Sequence, residues 1–468
     1  MDIFKTKLTP YMPSNCQIHG KHRKLRDLLK AIFCITLLIA VICSGASSEE
    51  ASADSAEVKP YTLDKVVVLS RHNIRSPLSG SGSLLNDITP HSWFPWTSQP
   101  SELSVRGGIL ESIMGQYFRQ WLEAEGLFPE NYQPEEGAIR FYANAKQRTI
   151  ATSTFFSAGL LPVWDTPVEI HAEYDTMDPV FNPQMTFLSP TYKQDIITQI
   201  SEIRGIDSLE GIYTDLQDAL TLLLDVADIE DSESYQAGTY GNLLGDKTDI
   251  LLEEGKEPGL FGPIKTATSV ADALTLQYYE ETDPVKAAFG HELTEDDWRL
   301  MHSIVDTYSE MLFTIPLVSV NIAHPLLKEL RSELVKDGRK FTFLCGHDSN
   351  IASVLAALGM KSYTLAETIE PKIPIGVKLV FARYLSTDQK AYYTVSLIYQ
   401  STEQLRNLTL LSLENPPMQE FIHFSGVKTN SDGMIAENDL LAKFDDAIFA
   451  YDLLVEEYSD EDFVEAAA

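Results

Sequence analysis

The feature that most constrains this chain is a short apolar run, Lys65–Ser70 (KVVVLS), that ends at a charged segment, Arg71-His72-Asn73-Ile74-Arg75-Ser76-Pro77. A run this short, without apolar–polar alternation, reads as a buried strand, of the kind found in sheets covered on both faces. Two other stretches share the form. Phe341–Cys345 is followed at once by Gly346-His347-Asp348-Ser349-Asn350, and Ala138–Ala143 by Asn144-Ala145-Lys146-Gln147-Arg148-Thr149. Open α/β sheets bind ligands beyond the carboxyl ends of their strands. Three strand ends therefore present Arg, His and Asp to what could be one place.

Between the strands the spacing turns helical. Helices are expected over Leu103–Leu122, Gln147–Gly159 and Ser349–Leu358, and later strands over Val377–Tyr384 and Tyr392–Tyr399. From about Ser189 to Met311 the pattern is mostly helical with charged faces, as in Thr214–Ala227 and Ala267–Glu280. Strands alternating with helices at both ends of the chain predict an α/β sheet. The helical middle reads as an inserted cap, a common wall of a ligand cleft. The expected division is an α/β domain in two parts, 59–188 and 312–468, with a helical cap at 189–311.

The N-terminus stands apart. Lys21, Arg23, Lys24, Arg26 and Lys30 precede an uncharged run of 13 residues, Ala31–Cys43, and the small residues Ser44-Gly45-Ala46. That order reads as a secretory signal over residues 1–46, followed by a linker at 47–58. The run is short for a membrane span of about 20 residues, although an uncleaved anchor is the competing reading. A periplasmic or secreted location is expected, without stable membrane insertion.

The whole chain carries 36 basic and 68 acidic side chains, a formal charge of −32. Without residues 1–46, which hold seven Lys/Arg and two Asp/Glu, 29 face 66, a charge of −37. Such a surface repels nucleic acid and anionic membranes. It also repels phosphorylated ligands at long range, so a phosphate site must be a local cluster of cations. Of the four cysteines only Cys345 lies beyond the signal. It sits in an apolar run and is expected to be a buried structural thiol.

Arg71 and Arg75 supply such a cluster around His72. Guanidinium forks pair bidentately with phosphate oxygens and stay charged at any relevant pH. An imidazole between them can be a nucleophile, and a carboxyl group at Asp348 could protonate a departing oxygen. Taken singly, an Arg-His or His-Asp pair is ordinary surface material, and Arg148 alone carries no information. Their joint occurrence after three predicted strands carries the reading. No His/Cys/Asp cluster has metal-ligand spacing, so neither metal nor cofactor is expected.

The set RHNIRSP, ANAKQRT and GHDSN resembles the histidine acid phosphatase family, which includes phytases. Asn73 after His72 and Ser349 in GHDSN favour its bacterial periplasmic glucose-1-phosphatase type. WFPW (Trp93–Trp96), RGGILE (Arg106–Glu111), DTMDPVFNP (Asp175–Pro183) and EPGLFGPIK (Glu257–Lys265) agree, and the likeness runs from about Tyr61 to Phe444. It implies a phosphoglycerate-mutase-like α/β sandwich with an inserted, mostly helical cap. It implies His72 as nucleophile and Asp348 as proton donor. Arg71, Arg75, Arg148 and His347 would hold the phosphoryl group, and Glu257 would touch substrate. Glu257 could equally be a solvated residue before a Pro-Gly turn. One departure is visible: Val427 and Ile435 stand where the family carries a disulfide near the C-terminus, so the usual cross-link stabilisation of about 2–4 kcal/mol is missing.

The resemblance implies hydrolysis of small phosphate monoesters, such as glucose 1-phosphate, with an acidic optimum. A phytase would need extra cations from the cap, and Lys256 and Lys265 are the candidates. A phosphotransferase, or a non-catalytic phosphosugar-binding protein, are readings of another class. The second would predict loss of His72 or Asp348, and both are present.

Overall fold

The KVVVLS run lies in β1 (Tyr61–Arg71), and its side chains divide by parity. Val67 and Leu69 enter one apolar cluster, while Val66 and Val68 enter another on the opposite face. A strand between two helical layers has no solvent face, which explains the missing alternation. The computed structural model describes residues 60–459; the expected signal and linker lie outside the described residues.

β1 pairs in parallel with β6 (Phe341–Gly346), β6 in parallel with β2 (Ile139–Ala143), and β2 in parallel with β3 (Val168–Glu169). On its other side β1 meets β7 (Lys378–Ser386) antiparallel, and β7 meets β8 (Ala391–Tyr399). β9 (Met418–Phe421) and β10 (Ile435–Ala436) close that edge, both antiparallel to β8. The result is one mixed, eight-stranded sheet. Arg71 stands opposite Gly346, and Ala143 opposite Cys345. The three segments singled out in the sequence thus leave the sheet side by side.

Helices Val105–Ala124 and Gln147–Leu160 cover one face through Met114, Phe118, Phe156 and Leu160. Ser104 fixes where the first begins, since its side chain accepts from the Gly107 N–H, an N-cap bond. The two helices touch backbone to backbone. A Cβ on Gly115 would lie 2.2 Å from the Phe156 carbonyl oxygen, and one on Gly159 2.3 Å from that of Ser112. Helices Pro316–Val335, Asp348–Ala357 and Glu437–Ser459 cover the other face with Leu326, Leu330, Ile351, Val354, Leu440 and Phe444.

Helices Pro190–Arg204, Gln217–Val226, Pro263–Glu280 and Glu295–Phe313 build a third core around Ile196, Leu220, Leu274, Trp298 and Ile304. Ile74, Leu110, Ile369 and Ile375 join the same cluster from the sheet side, so the helical segment is packed onto the sandwich. A two-stranded hairpin interrupts it, β4 (Asp249–Leu251) against β5 (Gly259–Phe261). These three-residue strands were not visible in the sequence pattern.

Cys345 is fully buried and unpaired. Burial pushes its thiol up to about 12, so it is inert as a nucleophile. Ile435 is buried and Val427 half-buried in the same apolar cluster.

Candidate active site

The loop leaving β1 is held at its backbone before any ligand arrives. The His72 N–H donates to the Gly346 carbonyl at 3.1 Å, and the Gly376 N–H donates to the His72 carbonyl at 3.1 Å. The Asn73 N–H donates to Thr152 Oγ1 at 3.2 Å. His72 is 4% exposed. Its Nδ1 lies 2.9 Å from the Asn73 carbonyl oxygen. A carbonyl only accepts, so Nδ1 carries the proton and Nε2 keeps a bare lone pair. Burial, then Arg148, His347, Arg75 and Arg71, hold the imidazole well below its usual range. It is therefore neutral in acid, with a nucleophilic nitrogen beside three cations.

His347 follows β6 and its ring meets that of His72 edge-on, centroids 5.5 Å apart. Asn144, after β2, sets its tautomer. Asn144 Oδ1 accepts the N–H groups of Ala145 and Asp178, each at 2.9 Å. Its Nδ2 must therefore be the donor at 2.7 Å to His347 Nε2. The proton of neutral His347 is thus on Nδ1, which lies 3.5 Å from an Arg148 nitrogen. Neither group can accept from the other, so both point donors toward shared space. Burial and Arg148 hold His347 well below its ordinary range.

Two of the three guanidiniums are held by carboxylates. Arg71 donates to Glu370 Oε2 at 2.7 Å, and Glu370 in turn accepts the Ile375 N–H at 3.0 Å. Burial opposes the Arg71 charge, but Glu370 and Asp348 outweigh it and raise its pKa. Arg75 pairs with Asp272 on helix Pro263–Glu280 at 3.0 Å. Arg148 opens helix Gln147–Leu160; burial and Arg75 lower it to about 10, so it stays charged. The Nε atoms of Arg71 and Arg148 are buried without a partner. Two helices also start here, at Gln147 and Asp348, and helix N-termini favour anions.

Asp348 sits at the mouth, its side chain 41% exposed and 3.8 Å from Arg71. Burial favours its neutral form, but Arg71, His347 and the Ser349 N–H outweigh this and hold the carboxyl below the usual range. Glu257 lies in the turn of the β4–β5 hairpin. Backbone bonds anchor that turn, Met185 N–H to the Lys256 carbonyl at 2.9 Å and Gly255 N–H to that of Met185 at 2.7 Å. The residue is exposed on that turn, and burial, then the Asp348 charge, push its carboxyl up to about 7, against Lys265 and Arg148.

Six of the seven residues singled out in the sequence come together at the strand ends; Glu257 lies on the hairpin turn, with no hydrogen bond or ion pair to them among the described residues. Those that hold them were missed: Asn144, Asp272, Glu370 and the Glu111–Lys378 pair beneath Asn73. Asn144 and Glu111 lie within the family-like stretches and Asp272 within the helix-patterned Ala267–Glu280, where a polar residue in an otherwise buried setting was a usable signal. Glu370 had none.

Donors and cations converging on a neutral imidazole at the strand ends of an α/β sandwich define a class of enzyme that handles phosphate esters. Residues 62–192 match the model of the histidine phosphatase superfamily, branch 2. The chain is 35% identical over 423 residues to the glucose-1-phosphatase of Salmonella typhimurium, covering 90% of this chain and 98% of that relative. It is 36% identical over 409 residues to the glucose-1-phosphatase of Providencia rettgeri, covering 86% and 94%. The fold superposes on the apo phytase of Hafnia alvei with a TM-score of 0.76 at 25% identity, covering 83% of this chain and 97% of that one. The chain belongs to the histidine phosphatase superfamily, branch 2, and is a phosphatase that hydrolyses phosphate monoesters.

Proposed function

We propose that this enzyme is an acid phosphatase for glucose 1-phosphate and related sugar phosphates, acting through a phosphohistidine on His72. The observation that carries the reading is the His72 tautomer, a lone pair on Nε2 fixed by the Asn73 carbonyl. Arg71, Arg75, Arg148 and the His347 Nδ1–H bind the equatorial oxygens and spread their charge. Nε2 attacks phosphorus as the ester P–O bond breaks, and Asp348 gives its proton to the leaving oxygen. Water then attacks the phosphohistidine, Asp348 takes its proton, and the P–N bond breaks to release phosphate and neutral His72.

Asp348 must start protonated, although Arg71 holds it ionised in the empty site. A bound ester brings negative charge beside it and screens Arg71, which raises its pKa in the complex. That supports an acidic optimum. Glu257, in the hairpin turn, is assigned to contact the substrate. The segment 189–311 is assigned as the cap over the cleft. The basic and apolar N-terminal pattern supports export to the periplasm or medium, and among the described residues no single helix is long and apolar enough to cross a membrane.

Phytate is the second reading, favoured by the phytase fold. Of the two candidate cations, Lys256 is engaged with Glu253, and Lys265 lies over the Tyr308 ring at 5.0 Å. Acid-quenched enzyme with phosphorus-labelled substrate should carry label on His72. His72→Ala should show none and lose at least about 10⁴-fold in turnover. Label mapped to another residue would overturn the mechanism. A phosphate-release panel from pH 3 to 8 should favour glucose 1-phosphate over phytate; the reverse order would make the chain a phytase.

A further inference from the structure

A cavity of about 290 Å³ opens beside the catalytic carboxyl group, between helix Glu295–Phe313 and the segment that follows helix Asp348–Ala357. Arg71 and Asp348 form one end of it. The rest of the wall that matters chemically is Asp306, Glu310, Tyr363 and Lys372. Its size is near the lower end of ligand pockets, roughly 300–1,000 Å³, and suits one small ring. A group that donates a proton to a leaving oxygen must touch it, so a chamber adjoining Asp348 lies where the rest of the alcohol goes.

The charges in that wall are the informative part. Arg71 is matched by Glu370 at 2.7 Å, and Glu310 is shared between Arg204 at 3.0 Å and Lys372 at 3.5 Å. Asp306 is the surplus carboxyl group: its one ion-pair contact among the described residues is His302 at 3.7 Å. A second phosphate entering here would find carboxylates and no free cation. A polyol would find acceptors for its hydroxyl protons and an aromatic wall.

We propose that this cavity receives the leaving alcohol and that Asp306 and Glu310 restrict it to an uncharged polyol, turning away one that bears a further phosphate. The proposal rests on the phosphatase reading of the site and names the feature that sets its specificity. Glu310→Gln removes a negative charge and releases two cations, Lys372 and Arg204. Asp306→Asn removes a charge alone.

The test compares kcat/KM for glucose 1-phosphate and glucose 1,6-bisphosphate in wild type, Asp306→Asn and Glu310→Gln at about pH 7.5, where Asp306 is ionised. Hydrolysis of p-nitrophenyl phosphate reports separately that each protein is folded with a working phosphate site. The bisphosphate-to-monophosphate ratio is expected to rise on the order of tenfold in Asp306→Asn, the scale of one charge at close range, and further in Glu310→Gln. An unchanged ratio in both variants, with p-nitrophenyl phosphate still cleaved, would overturn the proposal. Failure of wild type on all three substrates would instead overturn the phosphatase reading.

Discussion

In the proposed mechanism Asp348 changes charge twice in each cycle, and its surroundings favour both changes. Arg71 at 3.8 Å keeps it ionised in the empty site, the form needed to activate water in the second step. The incoming ester cancels that pull and prepares the acid for the first. The consequence is specific to the leaving group. In Asp348→Asn, turnover of a sugar phosphate should fall by about 10²–10⁴-fold, the usual worth of general acid catalysis. Turnover of p-nitrophenyl phosphate, whose leaving group departs without a proton, should fall far less. A plot of rate against leaving-group pKa, shallow in wild type and steep in the variant, checks this; equal losses on both substrates would remove Asp348 from the donor role. The side chains assigned to phosphate were legible in the sequence because the segments that carry them each follow an apolar strand. Those that orient them were less so. Nothing in the sequence pairs Arg71 with Glu370, 299 residues away, because such a partner is chosen by tertiary packing alone.

At the level of elements, the strand ends supply the chemistry and a buried polar pair supports it from below. Lys378, at the start of β7, lies 2.9 Å from Glu111 on helix Val105–Ala124, and neither side chain has any exposure. Glu111 Oε1 also accepts from the Asn73 amide at 2.7 Å, while Oε2 has no partner. Burial pushes the Glu111 carboxyl up despite Lys378, so the pair is a costly one held in place for what it positions. Glu111→Ala should destabilise the fold by about 3–5 kcal/mol, since it strands the Lys378 charge. Glu111→Leu with Lys378→Met should recover most of that loss in urea unfolding. Turnover should stay depressed in the double variant, because the Asn73 amide, one residue from the nucleophile, has lost its acceptor. Full recovery of turnover would make the pair purely structural. The five longer strands of the sheet and three of the helices covering it were readable to within a few residues, since their runs are apolar on two faces or capped by residues such as Ser104; β3, β9, β10 and helices Pro316–Val335 and Glu437–Ser459 were not named. The β4–β5 hairpin was not, because its strands are too short to show a period, and yet it carries Glu257.

Over the whole molecule, buried ionisable groups of two kinds pull stability in opposite directions as pH falls. His72 and His347 are held neutral. The unfolded chain binds their protons below about 6.5, so they cost stability there. Asp306 behaves oppositely. Burial, with Glu310 and Glu370 adding to it against His302 and Lys372, raises it from 3.8 to about 6. The folded state is the first to take up its proton, so its penalty is present above pH 6 and is relieved progressively as pH falls toward 4. Keeping this carboxyl ionised in the fold at neutral pH costs roughly 3 kcal/mol relative to the unfolded chain. Asp306→Asn removes a buried charge and should therefore be more stable than wild type by up to about 3 kcal/mol at pH 8. That advantage should shrink below pH 6 and vanish near pH 4, where wild type is itself neutral at this position. Urea unfolding of both proteins across that range measures the difference directly. An advantage independent of pH would mean that packing, and not the Asp306 charge, sets the cost. In acid the polyol chamber also loses this charge, so a protein stabilised by protonating Asp306 should discriminate less against doubly phosphorylated sugars.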